Sequence, residues 1–258
     1  MMITNSLKTY LEFAIETAYL AGRKTLGYYQ MGVSAEIKPD GSPVTVADRI
    51  SEEFIRKRIE ARFPDHDILG EEFGGSTAKK SHRWIIDPID GTKSFLRGVP
   101  LYAVLIGLEI EGQIEVGAAY FPALDEMVAA ATAQGCWWNG RPAKVSEITR
   151  MDQAVIASTT TMKFSQYGRQ AAWERLLKAC YFQTGWGDAY GYILVATGRI
   201  EVMLDPVMSV WDAAPFPPIL KEAGGYFGDW QGNRTIYAKE GLATNQALLE
   251  EVINIIEE

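Results

Sequence analysis

Asp87 and Asp90 stand at the end of the apolar run Trp84–Ile86, with Gly91 and Thr92 directly after them. Residue types in this order can do chemistry. A short buried strand that ends in carboxylates delivers hard oxygen ligands to a loop, and the Gly–Thr pair offers backbone N–H groups where a helix begins, which attracts anions. Pro88 cannot donate to a sheet ladder and is expected to end the strand, while Gly91 lets the backbone approach a ligand closely. Aspartates beside a turn are also the ordinary content of a capped loop, so the stretch gains meaning only from acidic residues elsewhere. The adjacent Glu71 and Glu72 in DILGEEFGG, Asp212 in SVWDAA and Asp48 just after Thr45 are such residues. Each has a bland reading as a loop residue, a helix cap or a partner of the helix dipole. Yet Glu71, Asp87, Asp90 and Asp212 all fall where short strands end or helices begin, the edge at which layered α/β proteins build sites. Oxygen ligands without His or Cys favour Mg2+ or Mn2+ over zinc.

The elements that must position these residues follow from periodicity. Leu7, Leu11, Ala14, Ile15, Ala18 and Leu26 recur at helical steps and predict an amphipathic helix over about 7–29. A polar loop follows over 32–43 and carries Lys38, after which Thr45 caps a second helix that reaches about Phe63 and holds Asp48 in its first turn. A very short strand precedes Glu71 and Glu72; neighbouring side chains of extended chain point opposite ways, so only one of the pair is expected to face a site. Strands over 102–110, 113–121 and 126–131, then the Asn139-Gly140 hairpin signal, predict an antiparallel sheet. Trp137 and Trp138 read as packing or subunit-contact residues. From about Asp152 strand-like runs (154–158, 181–184, 200–204) alternate with helical patterns (167–179, 188–198), the rhythm of an α/β lobe. Residues 209–225 predict one helix with Asp212 at its start and Gly224-Gly225 after its end, although Pro215, Pro217 and Pro218 sit awkwardly inside it. Without a long linker or repeat, two lobes are expected, residues 1–145 and 146–258, over one continuous interior.

Composition narrows the function. The 258 residues are 47% hydrophobic and 22% charged, ordinary for a globular enzyme, and the net charge of −8 argues against a nucleic-acid partner. An acidic protein that handles phosphate needs cations to reverse the local field. Cys136 and Cys180 form no framework and have no metal-ligand spacing; they read as buried packing thiols of a reduced, cytoplasmic protein. His66 and His82 lie in polar loop sequence without ligand spacing and read as surface residues. No apolar run reaches the ~20 residues that cross a bilayer, and the start of the chain lacks a signal-peptide pattern, so no membrane partner is expected.

GEE at 70–72, DPIDGT at 87–92 and WDAA followed by EAGG within 211–225 resemble the signature blocks of the inositol monophosphatase family of magnesium-dependent, lithium-sensitive phosphatases, in order and spacing over nearly the whole chain. The resemblance implies an α+β, αβαβα layered sandwich, commonly a homodimer, that acts on a small phosphate monoester. It implies that Glu71 (the first glutamate of the pair), Asp87, the Ile89 carbonyl, Asp90 and Asp212 bind two to three Mg2+ ions. Asp48 and Thr92 would share a proton and orient the attacking water, Gly91 and Thr92 amides would hold the phosphate, and Lys38 matches a lysine in the family's mobile loop. Without cations a phosphate monoester dianion repels nucleophiles, and no activated Cys or His competes for that role.

Substrate choice is expected in the second half, where Asp188 opens the helix of GWGDAYGY and Asp205 precedes Asp212 by seven residues. In inositol-specific members an acidic residue at the Asp205 position contacts ring hydroxyls. A further carboxylate beside an acidic site suits a cationic substrate group, against the plainer reading of Asp188 as an N-cap. DPIDGTKSFLRGVP and GDAYGYILVATGR resemble the histidinol-phosphate phosphatase branch. That implies hydrolysis of L-histidinol phosphate in histidine biosynthesis, with Asp188 and Asp205 meeting its ammonium and imidazole and Trp186 or Tyr190 touching the ring. Alternatives are an inositol 1-phosphate phosphatase, a broad sugar or nucleotide phosphatase, and an inactive family member that serves as a binding protein.

Overall fold

The computed structural model describes residues 2–75 and 80–257, without the side chains of residues 2–6. Helix α1 (Met2–Thr25) buries Leu7, Leu11, Ala14 and Ala18 of the stripe that the periodicity predicts, and Ala21 besides, while Ile15 and Leu26 are only partly buried; it ends at Thr25 because the next residues form turns. The segment predicted as an irregular loop contains a hairpin, β1 (Ala35–Ile37) and β2 (Pro43–Thr45), with Lys38 at its tip. Its tight turn is closed by the Lys38 and Ser42 backbones. Thr45 then caps α2 (Val46–Arg62) in a capping box with Asp48.

The larger sheet is built from β3 (Asp67–Gly70), β4 (Gly74–Gly75), β5 (His82–Asp90), β6 (Ala103–Ile110), β7 (Gln113–Phe121), β8 (Glu126–Ala131), β9 (Cys136–Trp138) and β10 (Arg141–Pro142), in the order β10-β9-β8-β7-β6-β5-β3-β4. It is antiparallel as expected except that β3 runs parallel to β5. Contrary to expectation, β5 continues through Pro88 to Asp90. A register shift between Asp87 and Asp90 puts an extra residue into the strand, and a bulge is where a sheet tolerates proline. The short α3 (Thr92–Leu96) follows.

The smaller sheet has five strands, β11 (Val155–Ala157), β12 (Phe182–Thr184), β13 (Val202–Asp205), β14 (Gly225–Gly228) and β15 (Gly241–Asn245), ordered β12-β11-β13-β15-β14. Between them lie α4 (Met162–Gln166), α5 (Gln170–Ala179), α6 (Ala189–Ala196), α7 (Val210–Ala213) and α8 (Phe216–Glu222), with α9 (Leu249–Glu257) at the end. The single helix predicted over 209–225 is two helices that break at Ala214-Pro215; proline is accommodated at the start of α8, where no intrahelical N–H is needed.

These elements stack in αβαβα order. Strand side chains alternate between two buried faces of the larger sheet. Trp84, Ile86, Val104, Ile106 and Tyr120 pack with α1 and α2, while Ile85, Leu105, Ala119 and Phe121 join Ile193, Phe216 and Ile219 of α6 and α8. The far face of the smaller sheet packs on α5 and α9 through Trp173, Leu176 and Val252. His66 and His82 are half-buried rather than free on the surface. Their rings stack 4.5 Å apart in an aromatic cluster with Tyr10 and Phe63, and the Trp84 indole donates to His66 Nδ1 at 3.0 Å. Cys136 is buried, whereas Cys180 is only partly so. Among the described residues no helix is long and apolar enough to cross a membrane.

Candidate active site

The end of β5, the first turn of α7 and the start of α6 converge on one point. Asp87, Asp90 and Asp212 present carboxylate oxygens within 4.8 Å of one another, a group that could hold a metal ion. Backbone amides aim each of them. Ile89 N–H donates to Asp87 Oδ1 at 3.0 Å, Ala189 N–H to Asp90 Oδ2 at 2.8 Å, and Ser209 N–H to Asp212 Oδ2 at 3.0 Å. In a carboxylate with two oxygens, this leaves one oxygen of each without a backbone donor. The bland and functional readings therefore coexist: Asp212 does cap α7, in a capping box with Ser209, and still reaches the cluster.

Two glycines let α7 come this close. Gly107 and Gly117 pair across β6 and β7, and a Cβ on Gly107 would lie 2.7 Å from Ala214 Cβ. One on Gly117 would lie 2.0 Å from the Pro215 carbonyl oxygen. The break between α7 and α8 thus rests directly on sheet backbone.

Electrostatics at the cluster is dominated by burial. Asp87 is 2% exposed and Asp90 8%. Burial, then the charges of Glu71, Asp90 and Asp212, pushes the Asp87 carboxyl well above its usual range. Burial, then Asp188 and Asp212, does the same to Asp90. Asp212 rises to about 7, again chiefly through burial, with its Ser209 amide bond opposing. Such a set resists ionisation unless a cation joins it.

Glu71 follows β3, and its amide bonds the Ile86 carbonyl at 3.2 Å, which sets it beside Asp87. The residues at 71–73 form a turn, so the two glutamates do not point apart as extended chain would require. Lys38 Nζ reaches Glu71 Oε1 at 2.7 Å and Glu72 Oε1 at 2.6 Å. Despite partial burial, these hydrogen bonds hold the Lys38 ammonium firmly protonated. The turn is fastened by Glu52, which no sequence signal was read to place here: it is fully buried, accepts the Glu72 and Phe73 amides, and pairs with Arg56 at 2.8 Å. Its clue was a charged residue one helical turn from both Asp48 and Arg56 on the buried side of α2.

Asp48 uses both oxygens. Oδ2 takes the Thr45 amide (2.8 Å) and hydroxyl (2.6 Å), and Oδ1 lies 3.3 Å from the Thr92 hydroxyl. The same hydroxyl lies 3.1 Å from the Ile89 carbonyl. Burial raises the Asp48 carboxyl against the Thr45 bonds. Gly91 adopts φ 77°, ψ 39°, a left-handed geometry natural to glycine, and begins α3 with no side-chain cap.

A cavity of ≈ 110 Å³ opens beside the cluster, lined by Asp90, Asp188, Asp205 and Asp212 together with Thr159 and Lys163. Thr159 and Lys163 were not anticipated. The polar run after β11 lies beside the end of its parallel neighbour β13, which is where such sheets gather polar groups. Asp188 precedes α6 without capping it by side chain, and burial with the nearby Asp205 charge lifts its carboxyl to about 6. Asp205 lines the wall, and its oxygens accept from Thr159, Tyr192 and Ser158. Tyr190 is turned away: its ring meets Phe121 edge-on at 5.1 Å and its hydroxyl engages Glu126 and Arg199. Trp186 stands 45% exposed and does not line the cavity.

The model of the inositol monophosphatase family matches residues 6–258. The chain belongs to this family. A histidinol-phosphatase of Chlorobaculum parvum is 42% identical over 248 residues, 95% of this chain and 96% of its own. One of Mycobacterium tuberculosis is 35% identical, covering 84% of this chain and 86% of its own. The crystal structure of the extragenic suppressor protein suhB from Bartonella henselae superposes with a TM-score of 0.90 at 26% identity, covering 97% of this chain and 99% of its own. The layered sandwich is thus that of inositol monophosphatase family structures, and the acidic cluster lies on the family's DPIDGT and WDAA blocks.

Proposed function

We propose that this protein is a phosphate monoester hydrolase that uses Mg2+, with Mn2+ as a substitute, and converts L-histidinol phosphate and water to L-histidinol and phosphate in histidine biosynthesis. The observation that carries the reading is the triad Asp87, Asp90 and Asp212, three carboxylates aimed at one point by backbone amides. Their mutual repulsion is the kind that a divalent cation offsets, and an all-oxygen donor set suits a hard ion. Glu71 and the Ile89 carbonyl would complete the ligands for two to three ions. When bound there, the ions neutralise the ester oxygens, acidify the attacking water and steady the departing alkoxide.

The chain's own groups supply the rest. The Thr92 hydroxyl, poised between Asp48 Oδ1 and the Ile89 carbonyl, holds or releases a proton and so orients the attacking water. The Gly91 and Thr92 amides meet phosphate oxygens at the uncapped start of α3. Asp188 supplies negative charge for the substrate's ammonium or imidazole, which supports the histidinol ester, as do the relatives named histidinol-phosphatase. In the same reading the enzyme works in the cytoplasm as a homodimer.

Lys163 in the cavity wall favours a second reading, in which the substrate is the uncharged polyol of inositol 1-phosphate or a broader set of sugar and nucleotide phosphates, because its ammonium opposes a cationic alcohol. Specificity constants for histidinol phosphate and inositol 1-phosphate, measured with magnesium, decide between them. A preference for the inositol ester overturns the histidinol assignment. Absence of magnesium-dependent phosphate release from any ester would leave a binding protein.

A further inference from the structure

We propose that Asp205 and Thr159 act as positioning residues, holding Asp188 in the backbone conformation from which its carboxylate faces the substrate cavity, and that neither recognises the substrate directly. The ends of the parallel strands β11 and β13 lie side by side, which brings Thr159 against Asp205. Asp205 Oδ1 accepts the Thr159 amide at 2.9 Å and lies 3.5 Å from the Ser158 hydroxyl; Oδ2 accepts the hydroxyls of Thr159 at 3.0 Å and Tyr192 at 3.1 Å. A carboxylate offers about four acceptor sites, so Asp205 has none left for a substrate cation. With its O–H directed at Asp205, the Thr159 hydroxyl turns its lone pairs the other way, and the Asp188 amide donates to them at 2.8 Å.

That bond falls on a strained residue. Asp188 adopts φ 51°, ψ −156°, a region that residues with a side chain rarely occupy and that persists only where surroundings impose it. The preceding turn is pressed onto the same threonine: a Cβ on Gly187 would lie 2.2 Å from Thr159 Cα. On its other side Asp188 Oδ2 is 3.2 Å from the position a Gly91 Cβ would take, so its carboxylate rests against the turn that follows Asp90. Asp205 therefore acts on the substrate through Thr159 and then Asp188. With Asp90 and Asp212 in the triad and Asp205 saturated, Asp188 is the cavity acid left to meet a cationic group; Ser94 takes part of its accepting capacity.

The proposal rests on the phosphatase reading for its assay. Steady-state phosphate release from histidinol phosphate with magnesium is compared for the parent, Thr159→Val, Thr159→Ser, Asp188→Asn and the double variant Thr159→Val/Asp188→Asn. Thr159→Val is expected to raise KM by about tenfold or more with a much smaller change in kcat, and Thr159→Ser, which keeps the hydroxyl, to restore the parent value. In the Asp188→Asn background Thr159→Val is expected to add less than about twofold, because its effect travels through Asp188. Full additivity, or failure of serine to rescue, overturns the proposal. Should Thr159→Val not fold, Asp205→Asn replaces it in the same cycle with the same expected non-additivity. If the parent does not turn over histidinol phosphate, the substrate reading fails separately, and the cycle is run on inositol 1-phosphate. There the Asp188 carboxylate would accept from ring hydroxyls instead of meeting a cation, and the same non-additivity is expected, full additivity overturning the proposal.

Discussion

Asp90 Oδ2, on the last residue of β5, accepts the amide hydrogen of Ala189, the first residue of α6, at 2.8 Å. One of the three clustered carboxylates therefore also joins the larger sheet to the helical layer behind it. An asparagine oxygen keeps that bond but not the charge.

Asp90→Asn and Asp212→Asn are accordingly expected to fold and to lose turnover by about 10²-fold or more, the scale of removing a group that meets transition-state charge. Melting in EDTA should rise for both, since each removes one member of a crowded buried set. A folded variant with parental phosphate release would take that residue out of the chemistry.

Glu52→Gln keeps the volume but leaves Arg56 without its anion and weakens the acceptor for the Glu72 and Phe73 amides. Urea titration should show a loss of about 2–3 kcal/mol, a little below the cost of breaking a fully buried pair because Arg56 keeps some solvent. Magnesium titration of phosphate release should shift to higher concentration as the Glu71 turn loosens. An unchanged midpoint in both titrations would refute the role given to Glu52.

Gly117→Ala places a methyl group on the Pro215 carbonyl. Overpacking of this kind costs about 1–3 kcal/mol, and here the relief is a displaced α7. The expected signature is a lowered melting temperature together with a raised magnesium requirement, whereas loss of stability alone would mean that α7 keeps its place.

His66 is held to about 4, below its ordinary 6.5, by burial and then by the neighbouring His82. As acceptor of the Trp84 indole its Nδ1 must be unprotonated. Below pH 6.5 the unfolded chain takes up a proton that the folded chain refuses, so the stability contributed above that pH is lost as the pH falls toward about 4. Asp212, raised to about 7, has the opposite slope, so the quantity to read is the difference from His66→Gln, which can accept the indole without titrating. Parent minus variant, measured by urea midpoint, should decline from pH 6.5 to pH 4; a constant difference would refute the assignment.

What the residue pattern revealed and what it hid divide on physical lines. Apolar periods located α1, α2 and the strands β6, β7 and β8 because each buries a continuous face. The acidic residues at element ends pointed to the triad for the same reason, since termini fix where a side chain can go. The bulge at Pro88 escaped because proline's missing donor reads as a stop when the partner strand is unknown. The hydrogen-bond and ring partners of Tyr190 and Asp205 escaped because Glu126, Phe121 and Thr159 are distant in the chain and no local pattern announces them. The strands β14 and β15 were not foreseen, being short elements stabilised by their neighbours, whereas α9 was missed although Leu249, Val252, Ile253 and Ile256 recur at helical steps.

The bare backbone at Gly107 and Gly117 gives the molecule a fixed gauge: main chain touches main chain, so the gap between Asp212 and the aspartates of β5 does not depend on how the surrounding aliphatic groups are filled. Exchanges such as Ile for Val in the nearby layers can accumulate with little effect on reactivity, while the addition of one carbon at either glycine cannot be absorbed.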